Sequence, residues 1–148
     1  MALIKQKHTP FLIIIAGAGN LGTAIINGVS LRGGEVIAID RNEAALLSSG
    51  IYQSVVGDAT DISTLRDAGA DHARSLIAAT GSDSTNMMIA QMAKEIFNIK
   101  STICCLQNPA HEDICRSLGI SSICPAIIAA RRVSDMLCTA YERECSDI

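Results

Sequence analysis

The chain has 148 residues, 49% hydrophobic and 18% charged, and its 12 Lys and Arg against 15 Asp and Glu leave a formal net charge of -3. That size suits one ordinary globular domain, and three prolines with no low-complexity run argue against long disordered tracts. A mildly acidic chain with no basic run longer than Arg131-Arg132 has little attraction for nucleic acid or an anionic membrane.

Phe11 to Ala16 is a continuous apolar run rich in β-branched residues, which predicts a strand covered on both faces. The apolar stretch ends at Ala18, far short of the roughly 18 to 20 residues that span a bilayer, and it leads into a glycine turn rather than a cleavage site. The chain therefore reads as cytoplasmic, without insertion into the membrane. Asn20 to Leu31 has helical spacing (Leu21, Ala24, Ile25, Val29) and stops at Gly33-Gly34. A strand follows at Val36 to Ile39, then a helix at Asn42 to Ser48, a strand at Gln53 to Val56, a helix at Asp61 to Ala68 and a strand at Ser75 to Ala79.

Asp83 to Phe97 predicts a long amphipathic helix and Ser101 to Leu106 a fifth strand. Asn108-Pro109 opens another helix, since Asn caps well and Pro is tolerated at the first helical position; Gly119 closes it before a sixth strand at Ile120 to Cys124. Strands alternating with helices predict an α/β fold of three layers, with a doubly wound, parallel, six-stranded sheet in the order 3-2-1-4-5-6 and right-handed crossovers. The chain thus divides into a Rossmann-like domain, 1–125, and a C-terminal helix, 126–148. On that helix Ala126, Ala129, Ala130, Val133, Leu137, Ala140 and Tyr141 share a face, flanked by Ile127, Met136 and Cys138. Such a wide stripe points to a homodimer seam; the competing reading lays the helix on its own sheet.

The six cysteines, Cys104, Cys105, Cys115, Cys124, Cys138 and Cys145, include no CxxC pair and read as reduced, mostly buried thiols. Cys104 and Cys105 are neighbours on a strand and face opposite ways, and His111 with Cys115 supplies two ligands where a metal needs more.

Gly17-Ala18-Gly19-Asn20-Leu21-Gly22 is a GxGxxG motif between a predicted strand and a predicted helix, the context that makes it specific. Gly17 permits the tight turn, Gly19 lets a pyrophosphate approach the backbone, and Gly22 lets the helix pack close to the strand. Asp40 ends the second strand 18 residues beyond Gly22, where an acid grips ribose hydroxyls and repels a 2′-phosphate; Arg41 beside it blurs that preference. Gly57-Asp58-Ala59 and Thr80-Gly81 follow the third and fourth strands and should face the same crevice. Taken singly, Asp58 could equally cap the next helix, and Thr80 could start a turn.

With GAGNLG at 17–22, VIAID at 36–40, VVGDAT at 55–60, LIAATGSDSTNMMIA at 76–90, NPAH from Asn108 and LGISSICP at 118–125, the chain resembles the TrkA-N or RCK-N nucleotide-binding regulatory domains of potassium transport systems. The resemblance implies a domain that binds NAD(H), or AMP, ADP or ATP, that dimerises and can build rings, and that gates a membrane potassium transporter or channel. It implies that Gly17, Gly19 and Gly22 hold phosphates, that Asp40 holds the adenosine ribose, that Asp58 and Ala59 border adenine, and that Thr80 and Gly81 line the cleft. Asn20 and Cys105 stand where relatives often carry Arg near phosphates. Losing both positive charges, with only Arg41 nearby, ranks NAD or AMP above a triphosphate. A second regulatory domain often follows the crossover helix in that family, so the expectation is either a shortened chain or a separate partner.

Two other classes compete. A small NAD-dependent oxidoreductase shares the fingerprint, yet His8, His72 and His111 fall in a tail, a connector and a helix start, which leaves little for catalysis. A ligand-free dimerisation scaffold would keep the fold without the nucleotide.

Overall fold

In the computed structural model, which describes residues 11–146 and the side chains of 11–139, the apolar run near the start becomes the central strand. This is β1 (Leu12–Ala16), in which Ile13 to Ala16 are all buried. Its residues alternate between two cores. Ile14 and Ala16 pack with Leu65, Leu76, Ile89 and Ala93 on one face, and Ile13 and Ile15 with Ile26, Ala38 and Leu46 on the other. Burial on both faces is what a run without polar interruption requires.

The helices and strands alternate through the described residues: α1 (Asn20–Ser30), β2 (Glu35–Asp40), α2 (Glu43–Ser48), β3 (Ser54–Val56), α3 (Ile62–Asp67), β4 (Ser75–Ala78), α4 (Asp83–Glu95), β5 (Ser101–Cys105), α5 (Glu112–Ser117), β6 (Ser121–Ile123) and α6 (Pro125–Ser146). The sheet has the order β3-β2-β1-β4-β5-β6, and every pairing is parallel. This is the doubly wound, Rossmann-like arrangement that the alternation predicts. The strand order reverses between β1 and β4, which opens a crevice at their carboxyl ends.

Some boundaries differ from those read in the sequence, each for a local reason. The edge strands β3 and β6 have three residues each, shorter than predicted, as strands with one partner commonly are. Asn108 caps through its side chain, which accepts from the N–H of Ala110, but Pro109–His111 forms a 3-10 turn before α5 begins. α4 stops before Phe97, where the chain turns through Asn98 at φ 55°. α6 begins one residue earlier than predicted, with Pro125 at its first position.

The predicted alternative for the C-terminal helix, a stripe covered by its own sheet, is overturned. Every residue from Ala126 to Thr139 is exposed, including Ile127, Ile128, Val133, Met136 and Leu137. Ala140, Tyr141 and Cys145 lie beyond the described side chains, and His8 beyond the described residues. No helix among the described residues is long and apolar enough to cross a membrane.

Candidate functional site

The crevice is held by hydrogen bonds between strand ends. Gly17 donates to the Ile39 oxygen at 2.8 Å, Ala79 to the Ala16 oxygen at 2.7 Å, and Gly57 to the Asp40 oxygen at 2.9 Å, which sets the loops after β1, β2, β3 and β4 side by side. Two adjoining lobes result. The first, about 410 Å³, is lined by Gly17, Gly19, Ile39, Asp40, Arg41, Gly57, Asp58, Ala59, Ala79, Thr80, Gly81, Ser82, Thr85 and Ile89. The second, about 360 Å³, is lined by Gly19, Asn20, Leu21, Ala79, Thr80, Gly81, Cys105, Leu106, Gln107, Pro125 and Ala126. Gly19, Ala79, Thr80 and Gly81 belong to both, at the reversal of strand order.

The three motif glycines do different things. Gly17 has φ +108°, and a Cβ on it would lie 2.5 Å from the Ala79 oxygen, so the turn needs glycine both for its conformation and for its packing. Gly22 lines neither lobe, and a Cβ there would fall 1.9 Å from the Gly17 oxygen. It serves the close packing of helix on turn. Gly19, the N-cap of α1, has nothing within 4 Å of an added Cβ, and no side chain caps the helix. The first-turn amides of α1 have no acceptor within the helix, and they open toward a space that a side chain at Gly19 would fill. A pyrophosphate fits this cradle by chemistry, as N–H donors at the positive end of a helix dipole.

The Asp40 carboxylate is oriented by backbone: Oδ2 accepts from the N–H of Ala18 at 2.7 Å and Oδ1 from the N–H of Asn42 at 2.8 Å. Each oxygen keeps lone-pair capacity for a further donor. Asp58 is no helix cap. Its Oδ1 accepts from the N–H of Thr60 at 2.9 Å and the hydroxyl of Thr60 at 2.7 Å, while its Oδ2 accepts from Arg41 Nη2. The Thr60 hydroxyl, then the Thr60 amide, with Arg41 adding to them, hold the Asp58 carboxyl below the usual carboxylate range.

The residues that brace the cleft belong to no motif that marks them as such in the sequence. Asn86, on α4, is buried with all its polar capacity used: Oδ1 accepts from the N–H and hydroxyl of Thr80, and Nδ2 donates to the main-chain oxygens of Thr80 and Cys105. Asp83 reaches from the start of α4 to the loop after β5, where its oxygens accept from the N–H groups of Gln107 at 2.7 Å and Asn108 at 3.0 Å, with His111 Nδ1 at 2.8 Å. Burial pushes the Asp83 carboxyl up, but the two amides and the His111 ring outweigh it and bring it below its usual value. The available signal was the polar run Ser82-Asp83-Ser84-Thr85-Asn86, too dense for a helix start that needs only a cap.

Cys105 is buried at the wall of the second lobe, and burial pushes its thiol up and away from the reactive thiolate. Cys104 faces the opposite way, into a third apolar cluster with Ala90, Leu106, Cys115 and Ile120. His111, engaged by Asp83, does not join Cys115 in a ligand set, and no group of three or more His, Cys, Asp or Glu gathers among the described residues. Charged side chains line only the first lobe: Asp40, Arg41 and Asp58.

The TrkA-N domain family matches residues 13–125. The Trk system potassium uptake protein TrkA of Streptomyces coelicolor is 29% identical over 128 residues, 84% of this chain and 56% of that protein. The chain thus spans little more than half of that relative. Among solved structures, the GsuK RCK domain superposes with a TM-score of 0.78 at 26% identity, covering 88% of this chain and 29% of that one. GsuK bound to ADP gives 0.77 at 27% identity, covering 86% and 34%.

Proposed function

Because the chain belongs to the TrkA-N domain family, we propose that it is a nucleotide-sensing regulatory domain that binds NAD(H) or an adenine nucleotide and gates a membrane potassium transporter or channel. The observation that carries this reading is the cleft itself: an uncapped α1 start at its middle, a carboxylate pair at one end and an uncharged lobe at the other. Asp40 would take the ribose hydroxyls and the amides at the start of α1 the phosphates, with adenine beside Gly57, Asp58 and Ala59.

NAD(H) ranks first. Its second half is a neutral ring on a ribose, which suits a lobe walled by Asn20, Leu21, Cys105, Leu106 and Gln107. A triphosphate would find one guanidinium, Arg41, already bonded to Asp58. AMP fits the first lobe alone, and the ADP-bound GsuK relative keeps ADP in view.

Regulation follows from where α6 starts. Pro125 and Ala126, its first residues, stand in the wall of the second lobe, so a ligand there presses on the base of a helix whose outer face is open. That face, carrying Val133, Met136 and Leu137, pairs with a second copy, and the dimer passes the change to a membrane partner. For this to be a switch, the ligand must bind one geometry better than the other, and the partner must then change ligand affinity by the same factor.

Titration calorimetry against NADH, NAD, ATP, ADP and AMP, with light scattering on the same sample, tests the reading. Saturable binding of NADH to a dimer supports it. An intact dimer that binds none of the five favours the ligand-free scaffold.

A further inference from the structure

We infer that Asp58 sets the choice between adenosine ligands with a free 2′-hydroxyl and those with a 2′-phosphate, by engaging and neutralising the Arg41 guanidinium that a 2′-phosphate would need. The inference rests on the nucleotide reading above and deepens it. By sequence, the pair Asp40-Arg41 at the end of β2 is ambivalent, since an acid there suits a free ribose and an arginine beside it accommodates a 2′-phosphate.

The geometry removes the ambivalence. Arg41 Nη2 donates to Asp58 Oδ2 across the mouth of the first lobe, from the end of β2 to the end of β3. Asp58 is itself fixed, because the amide and hydroxyl of Thr60 both hold its other oxygen. The lobe therefore sets two carboxylates against one guanidinium. A 2′-phosphate dianion must share Arg41 with the Asp58 carboxylate that already neutralises it, and must approach both that carboxylate and the unneutralised charge of Asp40. A free 2′-hydroxyl meets no such barrier, because it donates to the capacity that Asp40 retains beyond its bonds to Ala18 and Asn42. Asp58 in this account is a positioning residue: it acts on ligand choice through Arg41.

The test compares two ligand pairs that differ only in the 2′-phosphate, NADH with NADPH and AMP with adenosine 2′,5′-bisphosphate, by calorimetry on the full chain. Asp58→Asn keeps the acceptor that Thr60 uses and replaces the oxygen facing Arg41 with an NH2 group that cannot accept from it. Wild type should prefer the unphosphorylated member of each pair by about tenfold or more, the scale of misplacing a charge-assisted bond. Asp58→Asn should narrow that preference by about fivefold, the scale of one exposed charge pair, through tighter binding of the 2′-phosphate. Adding Arg41→Gln to it should restore the preference. A folded Asp58→Asn protein with the wild-type preference overturns the inference, and so does a wild type that binds NADPH as well as NADH. Arg41→Gln alone gives a reading that does not depend on the Asp58 variant folding: NADPH affinity should stay within about twofold of wild type, because Asp58 already neutralises the guanidinium, and a tenfold loss refutes the idea. A wild type that binds neither member of either pair overturns the nucleotide reading itself and this inference with it.

Discussion

The Asn86 side chain donates to the main-chain oxygen of Cys105 at 2.8 Å, and so ties α4 to the carboxyl end of β5. With its bonds to Thr80, one buried side chain clamps the end of β4, where Ala79 to Gly81 line both lobes, to the end of β5, where Cys105 lines the second. Asn86→Ala takes a hydrogen-bond partner from the buried oxygen of Cys105 and from the partly buried amide and oxygen of Thr80. Chemical denaturation should show a loss of about 2 to 4 kcal/mol, and nucleotide affinity should fall with it as the strand ends separate.

The glycine motif divides by substitution. Gly22→Ala puts a methyl group 1.9 Å from the Gly17 oxygen and should cost about 3 kcal/mol or more, or prevent folding. Gly19→Ala meets open space, so its thermal unfolding should stay within about 1 kcal/mol of wild type, the scale of a changed N-cap. On the proposed reading the same substitution should weaken nucleotide binding at least about tenfold, because the methyl group would stand where the phosphate is proposed to approach the backbone. Calorimetry and melting on one preparation separate the two effects.

Asp40→Ala should weaken binding of NADH or AMP by about 1 to 3 kcal/mol, the usual scale for losing a hydrogen bond to a charged group. Unchanged affinity in a titration would remove Asp40 from the site.

Asp83 makes the junction between α4 and the loop after β5 sensitive to acid. Its carboxyl is held below the usual value of 3.8, so the folded state binds its proton more weakly than the unfolded chain does. The resulting stability is fully present above that value and is lost as pH falls through the lower, folded one. The stability gap between wild type and Asp83→Asn, measured by denaturant melts from pH 7 down to pH 3, should therefore be widest at neutral pH and shrink below about pH 4.

Leu137 lies 54% exposed on the open face of α6. If that face is the seam between two copies, Leu137→Arg should halve the mass seen by light scattering while leaving the melting temperature of the sheet domain nearly unchanged. A monomeric wild type would remove the seam.

The order of elements and the sheet topology are legible in the chain, because two-sided burial demands unbroken apolar strands and each of the first five βα turns carries glycine or a capping residue. The place of the crevice is legible too, since GxGxxG, Asp40, Gly57 to Ala59 and Thr80-Gly81 each close a strand, and those ends meet at the reversal of strand order. Relations between residues far apart in the chain came only with the packed fold. Asp58, which by its position could equally wall the crevice or cap a helix, is bonded to Arg41, 17 residues away; Asn86, which no motif marks for that role, braces Cys105, 19 residues away. Periodicity and local motifs report a residue's neighbours within a turn or a strand. Which carboxylate meets which guanidinium depends on how the loops after β2 and β3 are brought side by side by the sheet, and whether the stripe on α6 is covered depends on where that helix leaves β6. Those are distances through space, set by packing, and no local pattern encodes them.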